Sequence, residues 1–86
     1  MIRRQTIKSL NLKQYTKTDC NDLYGEVSEK YKSTTDFESA IQKSHLDPEA
    51  LNKLWWVLNY HSEMMDNNRR LRAIVETKLD NIAESS

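Results

Sequence analysis

One glycine, one proline and one cysteine stand among 86 residues. Sheet proteins of this length need several tight turns, and tight turns draw on Gly and Pro. That scarcity argues against an all-β fold. A single cysteine excludes an internal disulfide and a cysteine-based zinc finger. Long apolar runs are also missing. The longest is Leu54-Trp55-Trp56-Val57-Leu58, whereas a membrane-spanning helix needs about 20 apolar residues. No membrane partner is expected. Residues 1–13 contain no apolar stretch of the secretory-signal kind, and the expected location is cytoplasmic. No Gly-rich phosphate loop, nucleophile elbow or EF-hand loop is present.

What is there suits one small helical domain. Apolar residues make up 37% and charged residues 30%, with 13 basic and 13 acidic side chains in balance. At zero net charge this is too apolar for a fully disordered chain. The charge is nevertheless unevenly placed. Arg3, Arg4, Lys8, Lys13 and Lys17 all precede the first acid, Asp19. Residues 1–15 form a basic N-terminal arm with no clean hydrophobic period. A helix over 5–14 and an extended arm packed on the body both fit it. A solvated tail is the default reading of such a leader. A partner-binding arm and a targeting segment share its composition.

Residues 16–83 are expected to form a single helical domain. Cys20, Leu23, Tyr24, Val27 and Tyr31 follow a 3.6-residue period and predict a helix over 19–31. Thr16 and Thr18 are candidate N-caps. Gly25 falls inside this helix and marks either a close approach or an early end. Thr35 with Glu38 three residues on reads as a capping box. It opens a short helix over 36–43 that buries Phe37, Ala40 and Ile41. Asp47-Pro48-Glu49 is the strongest start signal, combining an N-cap, a proline in the first turn and an acid at the positive end of the helix dipole. From there to Ile82 apolar positions alternate at spacings of 4 and 3, and no Gly or Pro intervenes. This predicts one long C-terminal helix over 47–82, with 66–70 its single weak place. The expected fold is all-α, two shorter helices packed against that long one.

Catalytic constellations are thin. His45, His61 and Cys20 are the only soft or nucleophilic side chains. Cys20 lies on an apolar stripe, which predicts a buried, inert thiol. His61 lies on the long stripe, where a packed core histidine is expected and a pH-sensitive interface is the alternative. Asp19, Asp22, Glu26 and Glu29 sit opposite the apolar stripe, as a solvated face would. No catalytic, cofactor-binding or metal-binding residue is assigned, and the protein is not expected to be an enzyme.

Neighbouring helical residues point about 100° apart, so the run from Leu54 to Leu58 wraps the whole circumference in apolar atoms. A helix packed on one side does not need that. The candidate protein interface is therefore Trp55, Trp56, Leu58, Met64 and Met65, with Trp55 the more exposed tryptophan and Trp56 the more buried. Arg3, Arg4, Lys8, Arg69 and Arg72 are candidate basic contacts. The expected function is a non-catalytic interaction module (an adaptor, inhibitor, chaperone or assembly subunit) acting through the long helix. Its partner is another protein or a second copy of itself. Nucleic acid is the less favoured partner.

Two resemblances accompany this reading. The stretch from Asp47-Pro48-Glu49-Ala50-Leu51 to Ile82 resembles the C-terminal half of type III secretion needle subunits, which implies polymerisation or chaperone binding. The pair Trp55-Trp56 and the capped short helix depart from that pattern. Separately, Thr16-Lys17-Thr18-Asp19, the segment from Phe37-Glu38 to Ile41-Gln42-Lys43, and the aromatic pair before His61 are similar to Hha-type modulators of nucleoid proteins. That similarity implies binding to a nucleoid protein through charged surfaces.

Overall fold

A computed structural model describes residues 2–43, 47–61 and 67–85. Those residues form five helices and no strand: α1 (Arg4–Leu10), α2 (Lys17–Lys30), α3 (Thr34–Lys43), α4 (Pro48–Tyr60) and α5 (Asn68–Ser85). The all-α expectation holds at that level.

The helix ends follow local chemistry. Thr16 caps α2 in a reciprocal box: its hydroxyl accepts from the Asp19 amide, and the Asp19 carboxylate accepts from the Thr16 amide, both at 3.2 Å. Gly25 lies within α2, and a Cβ there would meet nothing within 4 Å, so it marks neither a close approach nor an end. The start of α3 differs from the expected Thr35–Glu38 box. Ser33 Oγ accepts from the Asp36 amide at 3.1 Å, and Thr35 lies inside the helix. A serine outside the first turn competes well for the same orphan amides. Asp47 caps α4 as expected, its carboxylate accepting from the Ala50 amide at 2.8 Å with Pro48 in the first turn.

The single long helix over 47–82 is corrected. Its two halves are separate helices lying antiparallel. Trp55 Nε1 donates to Glu76 Oε1 at 2.9 Å, although one straight helix would hold residues that far apart in sequence about 31 Å apart. Asn68 Nδ2 donates to the buried Leu58 carbonyl at 3.1 Å and so serves one of the C-terminal carbonyls of α4. The entry to α5 is made by Asn67, whose φ is 59°. Asparagine tolerates that left-handed region better than most residues, so a turn forms without Gly or Pro. Pairing the halves buries Leu51, Trp55 and Leu58 of α4 and Leu71, Val75 and Leu79 of α5 within one chain. A continuous helix of about 50 Å would leave much of that stripe in water, and the folded molecule measures only 32 × 27 × 19 Å.

The other helices complete the core around this hairpin. α2 packs on α4 and α3 on α5. Phe37 and Ile41 of α3 are fully buried, and Phe37 meets the Tyr31 ring at 4.9 Å. Lys78 Nζ donates to the Gln42 carbonyl at 2.9 Å, tying the end of α3 to α5. The N-terminal arm is part of the fold and not a solvated tail. Ile2, Thr6 and Tyr15 are buried, and α1 lies against α5. Thr6 Oγ1 donates to Asp80 Oδ1 at 2.6 Å, and Arg3 pairs with Asp80 at 3.2 Å and Glu84 at 3.0 Å. Asn11, in the left-handed region at φ 54°, ends α1 with two reversed bonds, its own amide to the Lys8 carbonyl and the Leu12 amide to the Ile7 carbonyl.

Candidate functional site

α4 is the middle of the molecule, and its five consecutive apolar residues divide among its neighbours. Leu54 faces α2, where it lines a groove with Leu23 and Val27. Trp55, one position on, faces α5 and bonds Glu76. Leu58 lies a turn further along that face and is fully buried. Trp56 is half-buried and shares a cavity wall with Ile2, Ile7 and Leu12 of the N-terminal segment. Its ring stands edge-on to Trp55 at 5.0 Å and 81°, and stacks with Tyr60 at 5.9 Å and 28°.

The expected order of the tryptophans is therefore reversed: Trp55 is 5% exposed, and Trp56 is the surface ring. The stripe that chose Trp55 as outermost was drawn for a continuous helix. In the hairpin α5 covers α4 from a different side, and Trp55 falls beneath it. Of the candidate interface residues, Trp55 and Leu58 belong to the core of this chain, and Trp56 with Tyr60 forms the surface. Met64 and Met65 lie outside the described residues, as does His45.

Beside Trp56 the N-terminal segment borders a partly open cavity of about 150 Å³, with Ile2, Ile7 and Leu12 on one side and Asn52, Trp55 and Trp56 on the other. Asn52 Nδ2 donates to the Lys13 carbonyl at 2.6 Å and fastens the segment to α4. Asn52 and the buried arm residues Ile2 and Thr6 escaped sequence reasoning. The apolar arm residues had no period to display, and a polar residue on a helix carries no mark of burial.

The candidate basic residues do not converge. Arg3 is engaged by Asp80 and Glu84 at the C-terminal end of α5, and these two acids hold its guanidinium above its usual pKa. Arg69 is exposed at the opposite end of α5, about 16 Å away at 1.5 Å per residue. Arg72 is half-buried, and its neighbour Arg70 pairs with Glu38 of α3 at 2.8 Å. Arg4 and Lys8 are exposed one turn apart on α1, a helix with no acidic residue.

The nucleophile and ligand candidates sit in packing positions. Cys20 is wholly buried on the α2 stripe, and burial, with the nearby Asp19 charge, pushes its thiol pKa up, opposite to the activation that thiol catalysis needs. The His61 ring packs on Tyr24 at 4.4 Å. Asp22, Glu26 and Glu29 are exposed on α2. Among the described residues no group of three or more His, Cys, Asp or Glu side chains is placed to hold a metal ion, and no helix is long and apolar enough to cross a membrane. Compared with family models, curated proteins and solved structures, the chain matches none.

Proposed function

We propose that the protein is a non-catalytic interaction module whose copies associate through the outer side of α4. The observation that supports this reading is the Trp56–Tyr60 pair. Two large, half-buried aromatic rings stack along one side of a helix whose leucines, Val57 and Trp55 are buried. Tryptophan and tyrosine at such positions supply wide apolar area with few rotatable bonds, and interface hot spots are enriched in them. A net charge of zero puts no long-range repulsion between copies. A chain this small also buries a modest share of its surface alone, and association adds to it. An assembly subunit, adaptor, inhibitor or chaperone would use such a face in the same way. A cytoplasmic location belongs to this proposal.

Light scattering of the purified chain over a concentration series tests it. The mass should rise above the 10.2 kDa of one chain as concentration increases. Trp56→Ala and Tyr60→Ala should return it to the single-chain value with their helix content intact. A wild-type mass of one chain from micromolar to millimolar protein would remove the self-association reading.

A second reading rests on Arg4 and Lys8, exposed together on an acid-free helix. It is contact with nucleic acid or with a nucleoid protein. Phosphate contacts by these two side chains would weaken steeply with salt as counterions are released. A gel shift with mixed-sequence duplex at low salt tests the nucleic-acid form, and no shift at micromolar protein would end it.

A further inference from the structure

The outer row of α4 carries different chemistry at its two ends. At about 100° per residue, Glu49, Lys53, Trp56 and Tyr60 fall within about 60° of one another around the helix. Leu51, Leu54 and Leu58 lie across the helix from them and are buried. The first half of the row is charged and the second half is aromatic. Glu49 and Lys53 pair at 3.8 Å with side chains 73% and 42% exposed, and a surface pair of that kind holds its members weakly. Trp56 and Tyr60 are half-buried, with their rings stacked at 5.9 Å.

Such a row is complementary to itself only when reversed. The midpoint of Glu49 and Tyr60 along the chain is also the midpoint of Lys53 and Trp56, and it falls between Leu54 and Trp55. One twofold axis at that point, with two copies of α4 antiparallel, sets Glu49 of each copy opposite Tyr60 of the other. The same axis sets Lys53 opposite Trp56. Both pairs match chemically. A carboxylate accepts from a phenolic O–H, and an ammonium is attracted to the face of an indole. The antiparallel order also brings the positive N-terminal end of one α4 beside the negative C-terminal end of the other. The parallel order fails on the same row, because it sets Glu49 against Glu49 and Lys53 against Lys53, and like charges juxtaposed across an interface are costly.

We propose that two copies of the chain pair through α4 in this antiparallel register, with Glu49 and Lys53 selecting it. The proposal rests on the association reading above and adds to it the orientation of the second copy. The contact is isologous and closes on itself, so it makes a pair and not a filament. A row of this length makes a small interface, so the pair forms weakly, at high protein concentration.

Lys53→Glu and Lys53→Arg change a side chain outside the core, and circular dichroism should show their helix content intact. Sedimentation equilibrium measures self-association of each, and of Lys53→Glu mixed with the unaltered chain. In the antiparallel register Lys53→Glu sets a carboxylate against an indole twice per pair. It should weaken association at least about tenfold, and Lys53→Arg should hold it. Mixed pairs should be no tighter than pairs of the unaltered chain, whereas a parallel register would make them the tightest of all, since unlike charges would then meet. The unaltered chain gives a second readout that needs no variant to fold. In a half-labelled sample at millimolar concentration, isotope-filtered nuclear Overhauser spectra should join the Lys53 methylenes of one copy to the Trp56 indole of the other. Unweakened association of Lys53→Glu, tightest binding in the mixture, or Trp56–Trp56 contacts between copies without Lys53–Trp56 ones would each overturn the register and leave the association reading standing. A single-chain mass at every concentration would overturn both.

Discussion

Truncating the two tryptophans separately should have very unequal effects on folding. Trp55 is 5% exposed, and an aromatic side chain of its kind buries about 150–250 Å². At about 25 cal/mol per Å² that area is worth about 4–6 kcal/mol as an upper bound. Part of it stays with the alanine, and the cavity left behind adds a cost. Measured Trp→Ala changes in cores run at about 3–5 kcal/mol. Trp55→Ala also removes the Nε1 bond to Glu76, but Glu76 is half-buried and can turn to water, so little is added. A chain of 86 residues has about 4–13 kcal/mol of stability in all. Trp55→Ala should therefore use up a large share of it. Trp56 is half-buried, and its loss removes some apolar area and the stacking on Tyr60, about 1 kcal/mol together. Urea unfolding followed by far-ultraviolet circular dichroism reads both, with Trp55→Phe as a milder control that keeps most of the ring area. Equal costs for the two alanine variants, or a greater cost at Trp56, would refute the assignment of one ring to the core and the other to the surface.

Three further expectations concern the backbone and one carboxylate. Asn67→Ala should destabilise by about 1–2 kcal/mol because alanine resists the left-handed φ of 59°, while Asn67→Gly should not; equal denaturation midpoints for the two would place the turn elsewhere. Gly25→Ala should raise stability by about 0.5–1 kcal/mol, since the position is helical, exposed and sterically open, and a lowered midpoint would mean a hidden contact there. The bonds from Thr16 lower the pKa of Asp19, so its contribution is present above the ordinary carboxylate value and lost as pH falls through the lowered one. A carboxyl-carbon NMR titration should show Asp19 titrating below the ordinary aspartate value, with Thr16→Ala moving it back up; an unmoved value would mean that the capping box does not form in solution.

The starts of α2 and α4 were the most legible part of the chain, while that of α3 was misplaced from Ser33 to Thr35. Thr16 and Asp47 cap by short-range hydrogen bonds three residues ahead, and such geometry is written locally. The buried stripe of α2 was equally readable, because Cys20 and Val27 recur at the helical period and both are buried. The division of the C-terminal stripe was not. A period of 4 and 3 is satisfied by one long helix seeking a partner and by two halves that partner each other. Among the described residues the left-handed φ of Asn67 marks the separation, and Asn in a polar stretch carries no breaker signal as strong as Gly or Pro. The error at Trp55 and Trp56 followed directly, since the buried side of α4 depends on where α5 lies. The docking of residues 2–15 rests on long-range contacts, the bonds of Thr6 with Asp80 and Asn52 with Lys13, the Arg3 pairs with Asp80 and Glu84, and the burial of Ile2 and Tyr15, which no local pattern encodes.

The claim that α4 presents an association surface through Trp56 is tested most directly by the two indole N–H resonances of the chain. A ¹⁵N spectrum recorded along a dilution series from millimolar to micromolar separates them, because the Trp55 N–H is held by Glu76 inside the molecule. The Trp56 resonance should move with concentration together with the amides around Tyr60, and the Trp55 resonance should move far less. Concentration-independent positions for both indoles, or shifts confined to α2 or α3, would contradict the account.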